Sequence, residues 1–222
     1  MAKPLLIIGN KNYSSWSLRP YMSFAVSGIE FDEKLIPFGQ PVGNPDFQKQ
    51  IRRYSKAGLV PVMQHDGLTV WDTLAIMEYA AETWPDKKLW PTDKAARAMA
   101  RSMCAEMHSG FRHLRNACPM NLRKQSKAIV MSDAVLQDVA RMEYIFAQAR
   151  KLHGKEGPYL FGEFSNADAM FAPALTRLET FAIPVSKSTM KYIKTVLSTA
   201  AFQKWKADAL KETWIVAEDE VD

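Results

Sequence analysis

A chain of 222 residues, 47% of them hydrophobic, has apolar material for two small domains or one large one, and its net charge of +5 is spread along the chain and not gathered in one tract. No apolar run approaches the roughly 18 residues of a membrane span, Cys104 and Cys118 form no Cys-x-x-Cys pair, and the four histidines (His65, His108, His113, His153) lack ligand spacing. A membrane protein, a disulfide framework, a metal site and a nucleic-acid footprint are therefore not expected.

Pro4 to Gly9 reads as a first strand without a small-residue cleavage site after it, so a cytoplasmic location is expected. Leu18 to Ser27, stopped by Gly28, reads as a helix. Between them, the run from Asn12 to Pro20 puts the hydroxyls of Ser14, Ser15 and Ser17 at a strand-to-helix junction. A helix start carries unpaired N–H groups and the positive end of the helix dipole, which together favour an anion such as a thiolate. Helix capping alone also accounts for the serines, and the ring of Pro20 is tolerated in a first turn. Further on, Gly58 to Ile76 parses as strand, Asp66-Gly67 hairpin turn, strand and helix. Pro61 at the mouth of its strand implies an edge position or a cis bond, and Asp72-Thr73 lies at a second helix start.

Beyond residue 83 the pattern changes. Trp84 to Pro91, with two prolines and no periodicity, marks a linker. Thr92 or Asp93 caps a long helix expected to run toward Ala117 and end before Pro119, and Ser126 or Ser132 opens another that reaches Leu152. Ser165-Asn166-Ala167-Asp168 is a variant capping box opening a third. Shorter helical patterns cover residues 188–197 and 201–213, ahead of an acidic tail from Glu218 to Asp222. On the first of these helices Met99, Met103, Met107, Phe111 and Leu114 recur at threes and fours. Such a stripe is more often core, and it also suits an apolar wall for a ligand.

The order strand, helix, strand, helix-like stretch, Val60-Pro61 strand, Asp66-Gly67 turn, strand and Asp72-Thr73 helix resembles the thioredoxin-like domain of cytosolic glutathione transferases, from residue 4 to about 83 and more loosely beyond. The Ser14-Ser15-x-Ser17-x-Arg19 run looks most like the zeta and related serine-type classes. Trp16 replaces the zeta cysteine, Leu18 its tryptophan, and Asp72-Thr73 the familiar Glu-Ser or Gln-Ser pair. The resemblance implies an α/β thioredoxin-like domain at 1–83, a linker at 84–91 and an all-α domain at 92–222 that supplies the electrophile site.

It also implies an enzyme that ionises the thiol of glutathione for attack on a small electrophile, in a homodimer. The activating hydroxyl falls at Ser14, the preferred choice, by the zeta and tau spacing counted back from Arg19, and at Ser15 by the delta spacing; Tyr13 is a weaker rival. Val60, with Pro61 setting the geometry, would present its backbone to the cysteinyl part of glutathione, and Asp72 and Thr73 would hold the γ-glutamyl end. Lys34, Gln48 and Lys56 are equal candidates for the glycine carboxylate. Met103, Met107 and Phe111 would line the electrophile site, with Arg97, Arg101, His108, Arg112 and Arg115 on other faces as receivers of an acidic substrate. Two further readings are a glutathione-dependent cis-trans isomerase of the maleylacetoacetate type and a non-catalytic glutathione or hydrophobic-ligand binding stress protein.

Overall fold

The computed structural model describes residues 2–154 and 157–221. Four strands, β1 (Leu5–Ile8), β2 (Asp32–Leu35), β3 (Val62–His65) and β4 (Leu68–Val70), form a mixed sheet in the order β2-β1-β3-β4. β1 and β2 run parallel, while β3 is antiparallel to both β1 and β4. A parallel pair needs a crossover, and α1 (Ser15–Ser27) supplies it. Asp66 and Gly67 both take positive φ, 46° and 78°, which matches the tight Asp-Gly turn expected between β3 and β4.

Alternation along β1 divides the core. Leu6 and Ile8 face α1 and α3 (Thr73–Thr83), packing with Leu18, Met22, Ile76 and Met77, whereas Ile7 points to the other face and packs with Phe47 and Ile51 of α2 (Pro45–Ile51). Gly9 is required where β1 ends, because a Cβ there would come within 2.4 Å of the Phe38 ring. Pro61 precedes β3 through a cis bond, and of the two options open to that proline the edge position does not apply, since β3 is internal.

Among the described residues six α-helices follow: α4 (Lys94–Ser109), α5 (Arg112–Ala117), α6 (Asp133–His153), α7 (Asn166–Thr180), α8 (Lys187–Leu197) and α9 (Ala200–Ala209). The chain is thus a thioredoxin-like α/β unit followed by an all-α unit. Among the described residues no helix is long and apolar enough to cross a membrane. α7, buried along nearly its whole length, packs against α1, α4 and α8. Its first residue ties the units together: Asn166 accepts from the Ser23 hydroxyl at 2.6 Å, donates to the Met77 carbonyl at 3.2 Å, and its N–H reaches the Leu89 carbonyl at 2.8 Å. The Ser165–Asp168 capping box is formed in full.

Three expected elements differ, the last of them the helix expected over 201–213, which as α9 ends at Ala209. α1 starts at Ser15, one turn before Leu18, because Ser14 caps it. The single helix expected over residues 92–117 is two, α4 and α5, because the chain turns at Gly110, where a Cβ would lie 2.8 Å from the Glu106 carbonyl oxygen, and at Phe111, which adopts the left-handed region at φ 54°.

Pro20 sits inside α1 and has no N–H to give the Trp16 carbonyl one turn back. The hydroxyl of fully buried Thr73 donates to that carbonyl instead, at 3.1 Å, and so couples the starts of α1 and α3. Thr73→Val is expected to destabilise the protein by about 1–3 kcal/mol, the cost of a buried unpaired carbonyl. In a Pro20→Ala background, where an N–H returns to the helix, urea denaturation should show that cost falling toward zero.

Candidate active site

The start of α1 meets a cleft of about 420 Å³ lined by Ser14, Ser15, Trp16, Gln48 and Val60 from the α/β unit and by Arg115, Met120 and Arg177 from the helical unit. It adjoins a second cavity of about 300 Å³ lined by Val60, Pro61, Asp72, Thr73 and His108; Trp16, Leu59 and Val60 belong to both. Together they reach the size range of small-molecule sites. The six residues picked from the α/β half, Ser14, Ser15, Val60, Pro61, Asp72 and Thr73, therefore line one continuous tract.

The serines are not equivalent. Ser14 caps α1: its Oγ accepts from the Ser17 N–H at 3.3 Å and donates to the Ser17 hydroxyl at 2.7 Å, and Ser17 in turn accepts from the Gly9 N–H at 3.1 Å. This chain ties the end of β1 to the start of α1. The Ser15 hydroxyl, in the first residue of the helix, has no hydrogen-bond partner among the described residues, and the Trp16 N–H beside it is likewise unpaired. Tyr13 is engaged elsewhere, donating to Glu220 at 2.5 Å and accepting from Arg123 at 2.6 Å; burial raises its pKa further.

At the second cavity Asp72 caps α3 by accepting from the Leu74 N–H at 3.1 Å, and its other oxygen lies 3.2 Å from His108 Nε2. Because the Thr73 hydroxyl is bonded to Trp16, what Thr73 offers a ligand is its N–H, which is unpaired among the described residues. The backbone N–H and C=O of Val60 are also without backbone partners there. Three guanidinium groups surround this tract. Arg19 and Arg115 stack on the Trp16 ring at 4.2 and 4.8 Å, and buried Arg177 lies nearby. Burial and mutual repulsion lower the pKa of Arg19 and bring that of Arg177 down to about 10, so Arg177 stays charged near neutrality.

Residues 13–83 match the family profile described as Glutathione S-transferase, N-terminal domain. Over 206 residues the chain is 29% identical to maleylacetoacetate isomerase of Rattus norvegicus, covering 90% of this chain and 91% of the relative, and 26% identical to a probable maleylacetoacetate isomerase of Caenorhabditis elegans over 83% of each. A glutathione transferase homolog from Burkholderia gl BGR1, solved with bound glutathione, superposes with a TM-score of 0.70 at 21% identity over 95% of this chain and 100% of that one. The chain is thus similar to the cytosolic glutathione transferases, and residues 13–83 carry the pattern of their N-terminal domain.

Against the family pattern, the residues picked for the second substrate need correction. Met103, Met107 and Phe111 are 3%, 1% and 6% exposed, belong to the main core and line neither cavity. The break at Gly110–Phe111 turns the chain so that Arg115, Pro119 and Met120 line the cleft in their place. Of the three candidates for a glycine carboxylate only Gln48 lines the cleft, and its amide is also bonded to the Gly58 carbonyl at 3.0 Å. Of the proposed acid-receiving residues, His108 and Arg115 reach the tract and Arg97, Arg101 and Arg112 do not. Cys104 and Cys118 are buried, which pushes the first thiol well above its usual range and the second up to about 11, so neither is a nucleophile. Among the described residues no group of three or more His, Cys, Asp or Glu gathers as a metal site.

Arg177, Asp219 and Glu212 are residues that sequence reasoning missed. Glu212 follows α9 and its carboxylate accepts from the Lys11 and Asn12 N–H groups, at 2.7 and 3.1 Å, in the loop that leads into Ser14. Asn12 is further held by Asn121 and by the Arg123 N–H, and the Lys11 ammonium is shared between Glu33 at 2.7 Å and Asp208 at 2.9 Å. No spacing in the sequence marks these partners, of which Glu212 and Asp208 lie about two hundred residues from the loop and Asn121 and Arg123 about 110.

Glu212→Gln leaves one of two buried N–H groups facing an amide, and urea unfolding is expected to show a loss of about 1–3 kcal/mol. Burial pushes the Asp208 carboxyl up, but the bonds from Lys11 and Lys204 outweigh it and leave it at about 2. A pKa held below the unfolded value of about 3.9 contributes stability above that pH, and the contribution is lost as pH falls through about 2. Asp208→Asn should therefore flatten the stability curve measured between those two values.

Proposed function

We propose that the protein is a glutathione transferase that ionises the glutathione thiol at the start of α1 and directs it at a small electrophile lying against Arg115, Pro119 and Met120. The observation that carries this reading is the unpaired Ser15 hydroxyl, set at a helix start in the cleft that Val60 also lines. The α/β part up to residue 83 takes glutathione, the helical part from residue 92 supplies the wall for the second substrate, and two chains pair as a homodimer.

Fit follows from the unpaired groups. Val60 offers one N–H and one C=O to an extended peptide, as an added strand would require. The Thr73 N–H and the positive end of α3 suit the γ-glutamyl carboxylate, and the Asp72 carboxylate, half-exposed, suits the γ-glutamyl amine. Gln48 is placed for the glycine end.

Ser15 then donates its O–H to the sulfur. A free thiol has a pKa of about 8.5 and is mostly protonated near neutrality. A hydrogen bond to a charged acceptor contributes about 1.5–3 kcal/mol, and each pKa unit requires about 1.4 kcal/mol, so one hydroxyl lowers the thiol by one to two units. The unpaired Trp16 N–H and the arginines around Trp16 act in the same direction. The thiol proton leaves to solvent. The sulfur lone pair forms the new C–S bond while the leaving group departs with its bonding electrons, or, with an activated double bond, the electrons move onto the conjugated acceptor.

A second reading, glutathione-dependent cis-trans isomerisation of the maleylacetoacetate type, is favoured by the relatives of that name. It uses the same thiolate. Adding the sulfur to the conjugated double bond leaves a single bond free to rotate before the sulfur is expelled, so glutathione is regenerated and not consumed. Glutathione consumption per turnover separates the two.

Ser15→Ala should raise the pKa of the bound thiol, read from thiolate ultraviolet absorbance, by about one unit or more, and lower turnover near neutral pH about tenfold, with the defect shrinking as pH rises above the free thiol pKa. Ser14→Ala should chiefly cost about 1 kcal/mol of stability through the lost cap. The opposite pattern would place the thiol donor at Ser14.

A further inference from the structure

The second-substrate side of the cleft carries an unbalanced arrangement of charge. Arg115 is fixed by the carbonyls of His108 and Gly110, at 3.3 and 3.2 Å, and Arg177 by those of Arg115 and Cys118, at 2.9 and 2.5 Å. Both bonds of Arg177 use Nη1, so its Nε and Nη2 carry no hydrogen bond among the described residues. One acid lines the same cleft, Asp219, and no ion pair within 4 Å joins it to either arginine among the described residues.

Asp219 arrives on a strap. The chain after α9 ends in a 3-10 turn at Ala217–Asp219 that is seated on the α/β unit: Tyr13 donates to Glu220 at 2.5 Å, the Val42 N–H to Glu218 at 3.5 Å, and the Gln40 amide to the Ile215 carbonyl. From the helical side Arg123 donates to the Trp214 carbonyl at 2.7 Å and Lys124 to the Val221 carbonyl at 2.5 Å. The strap thus spans both units with Asp219 turned into the cleft. Burial pushes its carboxyl up to about 6, with Arg177 pulling it down and Glu218 and Glu220 pushing it up, so near neutrality it is ionised and within the field of Arg177.

We propose that Asp219 is a specificity-determining residue for the second substrate: its carboxylate supplies the negative charge that Arg177 and Arg115 would otherwise take from a ligand, and so biases the cleft toward uncharged electrophiles. The physical ground is that a buried cation requires a counter-charge, and that charges several ångströms apart in a desolvated cleft interact far more strongly than in water. A carboxylate-bearing electrophile must therefore either sit beside Asp219, against like-charge repulsion, or displace the strap. An uncharged one does neither, which makes Asp219 a selective penalty on one class of ligand.

The inference rests on the transferase reading for its function, but its test does not need turnover. Binding of para-nitrobenzoate and of the uncharged para-nitrobenzamide is measured by calorimetry on the full chain without glutathione, at a pH well above that at which Asp219 titrates. Asp219→Asn is expected to bind the benzoate about tenfold more tightly with little change for the amide, and Arg177→Met in that background is expected to remove the gain. An unchanged benzoate-to-amide ratio overturns the proposal. So does an equal gain in Glu218→Gln, which loosens the strap outside the cleft and leaves the Asp219 charge in place. With glutathione present, the ratio of kcat/KM for a chloronitrobenzoate to that for the matching amide should rise by the same factor. Absence of any turnover in the unmodified protein would count against the transferase reading alone, and the binding ratio would still decide the role of Asp219.

Discussion

The loop between β1 and α1 is buried, and at Lys11 and Asn12 its backbone groups find their partners in the helical unit and not in the α/β unit. Lys11 and Asn12 are 7% and 0% exposed, and their N–H groups end on the carboxylate of Glu212. The Asn12 side chain is met by Asn121 and Arg123, and the Lys11 carbonyl accepts from the Trp205 indole at 2.9 Å. Leaving these groups unpaired would cost several times the net value of the bonds themselves, because each would be desolvated without compensation. The loop therefore takes its shape only when the helical unit is in place. Since it runs directly into the cap of α1, the position of Ser15 in the cleft depends on contacts made two hundred residues away.

The same logic places Trp16. Pro20 withdraws a helix donor, Thr73 replaces it, and the two helix starts that face the cleft are held in one arrangement by a single hydroxyl. Trp16 then stands between the two cavities with guanidinium groups stacked on its ring. A cysteine, the zeta residue at this position, could not fill that space or carry those stacks. Trp16 thus goes with a cleft whose positive charge is supplied by Arg115 and Arg177, close to where the thiolate is proposed to form.

Much of the α/β unit was legible in the sequence because its signals are local. The apolar run Leu5–Ile8, the Asp66-Gly67 turn and the caps at Asp72 and Ser165 each act over a few residues and appear where the pattern put them, and Asp93 and Ser132 are the caps out of the pairs Thr92 or Asp93 and Ser126 or Ser132. Errors arose where a local signal was overridden or ambiguous. Methionine spacing continued smoothly through residue 110, yet the backbone turns there, and a stripe suited to a ligand wall became core. Spacing from Arg19 favoured Ser14 over Ser15 as the thiol donor, but in the structure Ser14 caps α1 and is bonded to Ser17, while the Ser15 hydroxyl has no partner among the described residues.

By itself, then, the sequence determined the order of strands and helices, the thioredoxin-like character of the first part, the helical character of the second, and the short list Ser14, Ser15, Val60, Pro61, Asp72 and Thr73. These follow from capping, turn chemistry and apolar periodicity, whose range is about one helical turn. Tertiary structure alone decided which serine hydroxyl has no partner among the described residues, that the Thr73 hydroxyl is bonded to the Trp16 carbonyl, and that Arg177 and Asp219 share the cleft. Those outcomes depend on long-range pairing of buried polar groups, where the partner is chosen by packing and desolvation and leaves no mark in the spacing of the chain.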